Sequence, residues 1–98
     1  MKLIVGRNDS GKTRELIKYS IDNSIPIFAL YDSKADSIKA KALNYFNTPV
    51  RVITPNDLAA GYDGEILVDD IEKAFAALLA DFARSSSFSI VGATITED

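Results

Sequence analysis

The sequence predicts an α/β fold, a three-layer α/β/α sandwich in which a mainly parallel, five-stranded sheet lies between two layers of helices. Five short apolar runs alternate with segments whose apolar residues recur at helical spacing. Two of these runs, at Ile27–Leu30 and Ile66–Val68, are almost continuously apolar, as strands buried on both faces of a parallel sheet require. The 98 residues are 47% apolar and 26% charged, which is typical of one small globular domain spanning residues 1–98.

The predicted strands follow from the apolar runs and the turn residues between them. They are Leu3–Val5, Ile25–Tyr31, Val50–Thr54, Glu65–Asp69 and Phe88–Thr94. Arg51 stands between two valines in the third run, which predicts a strand that either has one wetter face or lies near an edge of the sheet.

The predicted helices carry apolar residues at three- and four-residue spacing. They span Arg14–Ile21, Lys34–Phe46, Pro55–Ala60 and Ile71–Arg84. Thr54 before Pro55 gives the third helix a capping residue followed by a first-turn proline. Lys34 and Lys41 flank the apolar face of the second helix, and we interpret both as a solvated rim, with a nucleic-acid contact as the alternative.

The segment Gly6–Thr13 matches the pattern G-x-x-x-x-G-K-[ST] at every fixed position, between the first predicted strand and the first predicted helix. Its glycines allow backbone N–H groups to point inward as an anion-binding nest, and the helix adds the positive end of its dipole. In this pattern Lys12 reaches the β- and γ-phosphates, and the Thr13 hydroxyl completes a Mg²⁺ shell. The segment therefore predicts a nucleoside triphosphate site with Mg²⁺. A coincidental glycine turn before an ordinary helix is the alternative, which the flanking strand and helix disfavour.

The residues predicted to contact the nucleotide are those of this loop and its border. They are Gly6, Asn8, Asp9, Ser10, Gly11, Lys12, Thr13 and Arg14. Asp9 is expected to point outward to solvent or to hydrogen-bond its own loop, because a carboxylate beside a triphosphate is repelled. Arg7 and Arg14 flank the loop, where each could contact phosphate or base, and surface charge is the alternative for both.

A second element, Glu65–Asp70, is an apolar run that ends in two acids. Because ligands of open α/β sheets bind at the carboxyl ends of the strands, Asp69 is predicted to lie near the loop. There Asp69 would hold the Mg²⁺, and Asp70 would polarise an attacking water. The alternative is that both acids only favour the positive end of the following helix.

Together the two motifs resemble those of P-loop NTPases, in the subclass that carries an acidic catalytic residue beside the Walker B strand. The resemblance implies a minimal RecA-like core with Lys12, Asp70 and Thr94 in catalytic roles. In that subclass a polar residue at the position of Thr94 senses the γ-phosphate from a neighbouring strand. A threonine chosen only for its strand propensity is the alternative.

One closer likeness is to the nucleotide-binding half of DEAD-box-type helicases. Thr54–Leu58 matches their Thr-Pro-x-x-Leu element, and Gly92–Thr94 resembles the end of their Ser-Ala-Thr strand. Their Asp-Glu-Ala-Asp is represented by Asp69–Glu72, with Asp70 in place of the catalytic Glu. The second domain of that family, which supplies arginine fingers, has no counterpart in this sequence.

A second likeness is to the N-terminal half of bacterial-type thymidine kinases. In that family a Glu-Leu pair follows the phosphate loop, as Glu15 and Leu16 do here, and the Walker B strand also ends in two acids. This sequence lacks the thymidine-enclosing segments of the family and has no Cys for its zinc site. This likeness ranks second.

Composition limits the chemistry that the chain can perform. It contains no Cys and no His, which excludes thiol nucleophiles, disulfides and a histidine base, and favours an oxygen-liganded metal such as Mg²⁺. The net charge of −3, from 11 basic and 14 acidic residues, disfavours broad nucleic-acid binding. No apolar run approaches the length of a membrane span, so we expect a cytoplasmic protein without a membrane partner.

The expected function is ATP–Mg²⁺ binding with weak ATPase activity, in a module that acts on a nucleic acid or a protein assembly. A second copy of the chain or a protein partner would supply an arginine finger, for which Arg84 is one candidate. Two alternatives are open: a small phosphotransferase acting on a nucleoside, and a nucleotide-dependent binding switch with little hydrolysis. The sequence has no Asn-Lys-x-Asp guanine signature, which favours ATP over GTP.

Overall fold

The computed structural model describes residues 1–8, 10–77 and 87–97, in which strands and helices alternate. The strands are β1 (Lys2–Gly6), β2 (Ile27–Phe28), β3 (Val52–Ile53), β4 (Asp63–Val68) and β5 (Ser87–Thr96). The helices are α1 (Lys12–Asn23), α2 (Asp32–Phe46), α3 (Pro55–Ala59) and α4 (Ile71–Ala77). Within the described part of the chain, no helix combines the length and the apolar character needed to cross a membrane.

The five strands form one sheet in the order β1-β5-β4-β2-β3, and every neighbouring pair is parallel. The predicted α/β class and parallel five-stranded sheet are therefore confirmed. β3 lies at an edge of the sheet, which is one of the two positions that Arg51 indicated. β5 stands between β1 and β4, so the carboxyl ends of these three strands meet at one edge of the sheet.

Apolar side chains cover both faces of the sheet. On β4, Leu67 packs with buried residues of α1 and α2, whereas Ile66 and Val68 pack with buried residues of α3 and α4. Alternate residues of a strand point to opposite faces, so α1 with α2 and α3 with α4 lie on opposite faces. This arrangement is compatible with the predicted three-layer sandwich. Removing these side chains from water provides the main driving force for the fold.

The observed elements differ from the predicted ones mainly at their ends. α1 begins at Lys12 rather than Arg14, because Gly11 takes a left-handed conformation directly before it. β2 and β3 contain only two residues each, since they hydrogen-bond over a short ladder. β5 is longer than predicted because it pairs with β1 along one side and β4 along the other. The predicted helix Ile71–Arg84 is described only as far as Ala77, so Arg84 lies outside the described residues.

Candidate functional site

The loop between β1 and α1 turns on two glycines. Gly11 precedes α1 with φ +87°, a left-handed conformation that residues with a Cβ adopt at a cost. A Cβ on Gly6 would lie 2.5 Å from the Ser10 hydroxyl oxygen, so the loop folds back closely over that position. No side chain among the described residues caps the start of α1, whose first-turn N–H groups have no partners within the helix. These are the backbone features that anion sites at helix N-termini use.

The loop folds around the ammonium group of Lys12. The side chain is only 8% exposed, and its Nζ donates a hydrogen bond of 2.6 Å to the carbonyl oxygen of Arg7. The same carbonyl accepts a bond of 3.2 Å from the backbone N–H of Ser10. Lys12 is therefore held inside the loop, whereas Asn8 is exposed at its surface. Asp9, another predicted nucleotide contact, lies outside the described residues.

The structure brings both predicted metal ligands together with Thr94. The Thr13 hydroxyl, in the first turn of α1, donates to the Asp69 carboxylate at 3.1 and 3.3 Å. Thr94, on the neighbouring strand β5, donates to the same carboxylate at 2.5 Å. Asp69 is 6% exposed and Thr94 is fully buried, so these bonds satisfy a carboxylate removed from most of the solvent.

Asp70, two residues after the end of β4, has a backbone conformation that differs from that of a strand. Its φ of +53° is left-handed, a region in which Asp is enriched among residues that have a Cβ. Its backbone N–H donates to the Thr94 hydroxyl oxygen at 2.7 Å. Its carboxylate accepts bonds of 2.9 Å from the Thr96 hydroxyl and from the Lys34 ammonium group. Thr94 thus contacts both acids, because it donates to the Asp69 carboxylate and accepts from the Asp70 backbone.

The interpretation of Lys34 as part of a solvated rim is wrong. Its side chain is 28% exposed, and Nζ lies 2.9 Å from Asp70 Oδ2 and 3.3 Å from Asp69 Oδ2. The physical reason lies in the sheet order. β2 pairs with β4, so the first turn of α2, which follows β2, lies close to the acids that follow β4.

The ion pair alters the pKa values of both partners. Burial acts to lower the pKa of Lys34, but the hydrogen bond to Asp70 and the charges of Asp69 and Asp70 outweigh it and raise the pKa. Burial acts to raise the pKa of Asp70, but the hydrogen bonds from Lys34 and Thr96 outweigh it and lower the pKa. Both groups are therefore held in their charged forms.

The donor groups fit a metal ion that is bound together with phosphate. Asp69 offers a carboxylate and Thr13 a hydroxyl, both hard oxygen donors that are already adjacent. Mg²⁺ is usually held by one or two carboxylates together with substrate phosphates and water. Among the residues that the structure describes, no group of three or more acidic side chains could hold a metal ion. Thr13 and Asp69 are the residues of this site that could contribute oxygen ligands to Mg²⁺ alongside phosphate.

A cavity of about 200 Å³ opens beside the acids. Lys34, Asp69, Asp70 and Lys73 contribute its charged lining, and it is completed by Leu30, Tyr31 and Ala74. It provides room at the carboxyl edge of the sheet for a small polar group next to the Asp70 carboxylate.

Sequence reasoning missed Lys34 and Thr96. A signal for Thr96 was present, because it follows Thr94 by two residues and therefore shares its face of β5. No comparable signal identified Lys34, whose position depends on β2 lying beside β4.

Comparisons of the chain with protein-family models, with curated proteins and with solved structures find no match.

Proposed function

We propose that this chain binds a nucleoside triphosphate with Mg²⁺, preferring ATP, through the Gly6–Thr13 loop and Asp69. The observation that carries the proposal is the bond from the Thr13 hydroxyl to the Asp69 carboxylate. These two residues are 56 positions apart in the chain and belong to different motifs, each of which separately predicts a metal ligand. A coincidental glycine turn would give no reason for the two to be in contact.

We further propose that the domain is a minimal RecA-like core of the additional-acid P-loop subclass. In such a core the phosphate loop follows β1 and the two acids follow β4. β5 lies between β1 and β4, and its Thr94 contacts both acids. Thr94 is then in a position to couple the γ-phosphate end of the site to Asp69 and Asp70.

The chain would bind the triphosphate through backbone N–H groups and through the positive charge of Lys12. The first-turn N–H groups of α1 would donate to phosphate oxygens, and Lys12 would exchange the Arg7 carbonyl for a phosphate oxygen. Bound Mg²⁺ supplies neutralisation of charge on the β- and γ-phosphate oxygens.

Hydrolysis is expected to be slow because Asp70 is a weak base. Each oxygen of its carboxylate already accepts one bond, from Thr96 or Lys34, and retains a lone pair that can orient a water. The same bonds lower its pKa, so Asp70 accepts a proton poorly at neutral pH. We propose that an arginine finger, which accelerates related reactions by about 10³–10⁵, comes from another chain. This favours slow turnover or a binding switch over an efficient phosphotransferase.

The proposal is tested by calorimetric titration of Mg–ATP into the wild-type chain, Lys12→Ala and Lys39→Ala. Lys39 is exposed on α2 and serves as the charge-matched control. Loss of a charge-assisted bond worth about 1.5–3 kcal/mol lowers affinity about 10- to 100-fold in Lys12→Ala, with no change in Lys39→Ala. Equal affinity in all three proteins, each shown to be folded by circular dichroism, would refute nucleotide binding at this loop.

A further inference from the structure

A second cavity adjoins the phosphate loop. It has a volume of about 340 Å³ and lies between the first turn of α1 and the last turns of α2. It is lined by Gly11, Lys12, Thr13, Arg14, Lys41 and Tyr45. Among the described residues, no lining residue of this cavity also lines the cavity beside the acids. The cavity at the loop and the cavity beside the acids are therefore separate.

Arg14 and the aromatic ring of Tyr45, on α2, form one wall of this second cavity. The Arg14 guanidinium carbon lies 5.1 Å from the centre of the Tyr45 ring and 6.0 Å from that of Phe46, within the range of cation–π contacts. Tyr45 remains 48% exposed in spite of this contact. Aromatic rings and guanidinium planes are the surfaces on which proteins stack nucleobases.

The charge of this cavity suits an anionic ligand. Lys12, Arg14 and Lys41 contribute three cationic side chains to the lining, and none of its described lining residues is acidic. The other cavity, in contrast, contains Asp69 and Asp70. A nucleotide has both a planar ring and phosphates. The ring suits the aromatic side chain of Tyr45, and the phosphates suit the cationic side chains of the lining.

The positions of Lys12 and Thr13 in the loop indicate how a bound nucleotide would be oriented. Lys12 belongs with the β- and γ-phosphates, and Thr13 donates to Asp69, so the γ-phosphate end of a nucleotide belongs on the side of the acids. The cavity at Arg14 is then available to the remaining end of the nucleotide. That cavity begins at the phosphate loop itself, because Gly11, Lys12 and Thr13 line it.

We propose that the cavity between Arg14, Lys41 and Tyr45 binds the base of the nucleotide, which stacks against the Arg14–Tyr45 pair. This inference rests on the proposed function and adds the residues that contact the base. Stacking tolerates any base because every base has a planar face, so the site contributes affinity for nucleotides over inorganic polyphosphates.

The experiment compares Mg–ATP with Mg–tripolyphosphate, which has the phosphates but no base. Calorimetry measures both ligands on the wild-type chain, Tyr45→Ala, Lys12→Ala and Leu43→Ala, the last being an exposed residue of the same helix. Tyr45→Ala is expected to weaken ATP about tenfold and to leave tripolyphosphate within about twofold. Lys12→Ala is expected to weaken both ligands, and Leu43→Ala neither.

A spectroscopic readout accompanies the titrations. The chain has four Tyr and no Trp, so its intrinsic fluorescence reports on tyrosine alone. ATP is expected to quench part of this fluorescence in the wild type, and Tyr45→Ala removes that part of the quenching.

The outcomes of these titrations distinguish failure of the base site from failure of nucleotide binding at the loop. If wild type binds ATP no better than tripolyphosphate, or if Tyr45→Ala weakens both ligands equally, the base site is refuted while nucleotide binding at the loop stands. If Lys12→Ala leaves both affinities unchanged, the phosphate loop assignment fails and the base site fails with it.

Discussion

The ammonium group of Lys34 lies 2.9 Å from the carboxylate of Asp70, a residue 36 positions later in the chain. The same group lies 3.3 Å from the carboxylate of Asp69. Lys34 therefore forms ion pairs with both Asp69 and Asp70. These acids lie at the edge of the sheet where Thr13 also contacts Asp69. A divalent cation bound to Asp69 must compete with Lys34 for that carboxylate, because both are attracted to the same oxygens.

Lys34→Ala is expected to destabilise the chain by about 1–2 kcal/mol in buffer with EDTA, because Asp69 and Asp70 lose their shared cation and repel each other. The loss is smaller than for a fully buried pair because the Lys34 side chain is partly exposed. Urea denaturation measures it. Lys39→Ala, on the exposed face of α2, is the control and should change stability by less than about 0.5 kcal/mol.

The ion pair also gives the stability of the chain a defined pH dependence. The pKa of Asp70 lies below its ordinary value of 3.8, so its contribution is present above that value and is lost as pH falls through the lower, folded pKa. The pKa of Lys34 lies above 10.5, so its contribution is present below that value and is lost as pH rises through the higher, folded pKa.

The difference in unfolding free energy between wild type and Lys34→Ala should therefore be constant from about pH 5 to pH 9 and shrink in acid. Part of the acid dependence should remain in the variant, because Thr96 and Lys73 also stabilise the charged form of Asp70. Urea denaturation across this pH range, with EDTA present, measures the difference. A difference that grows as pH falls would contradict the ion pair.

Thr94→Val removes the hydroxyl that joins the two acids and keeps the shape of the side chain. The variant should lose about 1–3 kcal/mol of stability, because Asp69 loses a donor and the Asp70 backbone N–H loses its acceptor. Thr94→Ser retains the hydroxyl and should lose only the packing of one methyl group, about 1 kcal/mol. A larger loss in Thr94→Ser than in Thr94→Val would mean that packing, not the hydroxyl, matters at this buried position.

The parts of the fold that could be predicted from sequence are those set by local pattern. The continuous run at Ile66–Val68 predicted a buried strand, and the glycine loop predicted the start of a helix within two residues of where Gly11 places it. The contact of Lys34 with the acids, and of Arg14 with Tyr45, depends on which strands and helices are neighbours. Neighbour order is decided by the packing of the whole sheet, which single-sequence periodicity does not encode.

Asp69→Asn tests the metal ligand separately from the phosphate loop. Asn keeps the size and an oxygen acceptor for the Thr13 and Thr94 hydroxyls but removes the charge that would hold Mg²⁺. Affinity for ATP in the presence of Mg²⁺ is expected to fall about 10- to 100-fold, as the loss of a charge-assisted contact predicts.

Without Mg²⁺, in EDTA, the same substitution removes a negative charge near the triphosphate. Affinity for ATP should then stay equal or rise, so the ratio of the two affinities isolates the metal contact from any general damage to the loop. Asp36→Asn makes the same chemical change at an exposed position of α2 and should leave both affinities unchanged. If Asp69→Asn instead kept the Mg²⁺ dependence of the wild type, Asp69 would be a structural acceptor for Thr13 and Thr94, and the metal would have to be held by other oxygens.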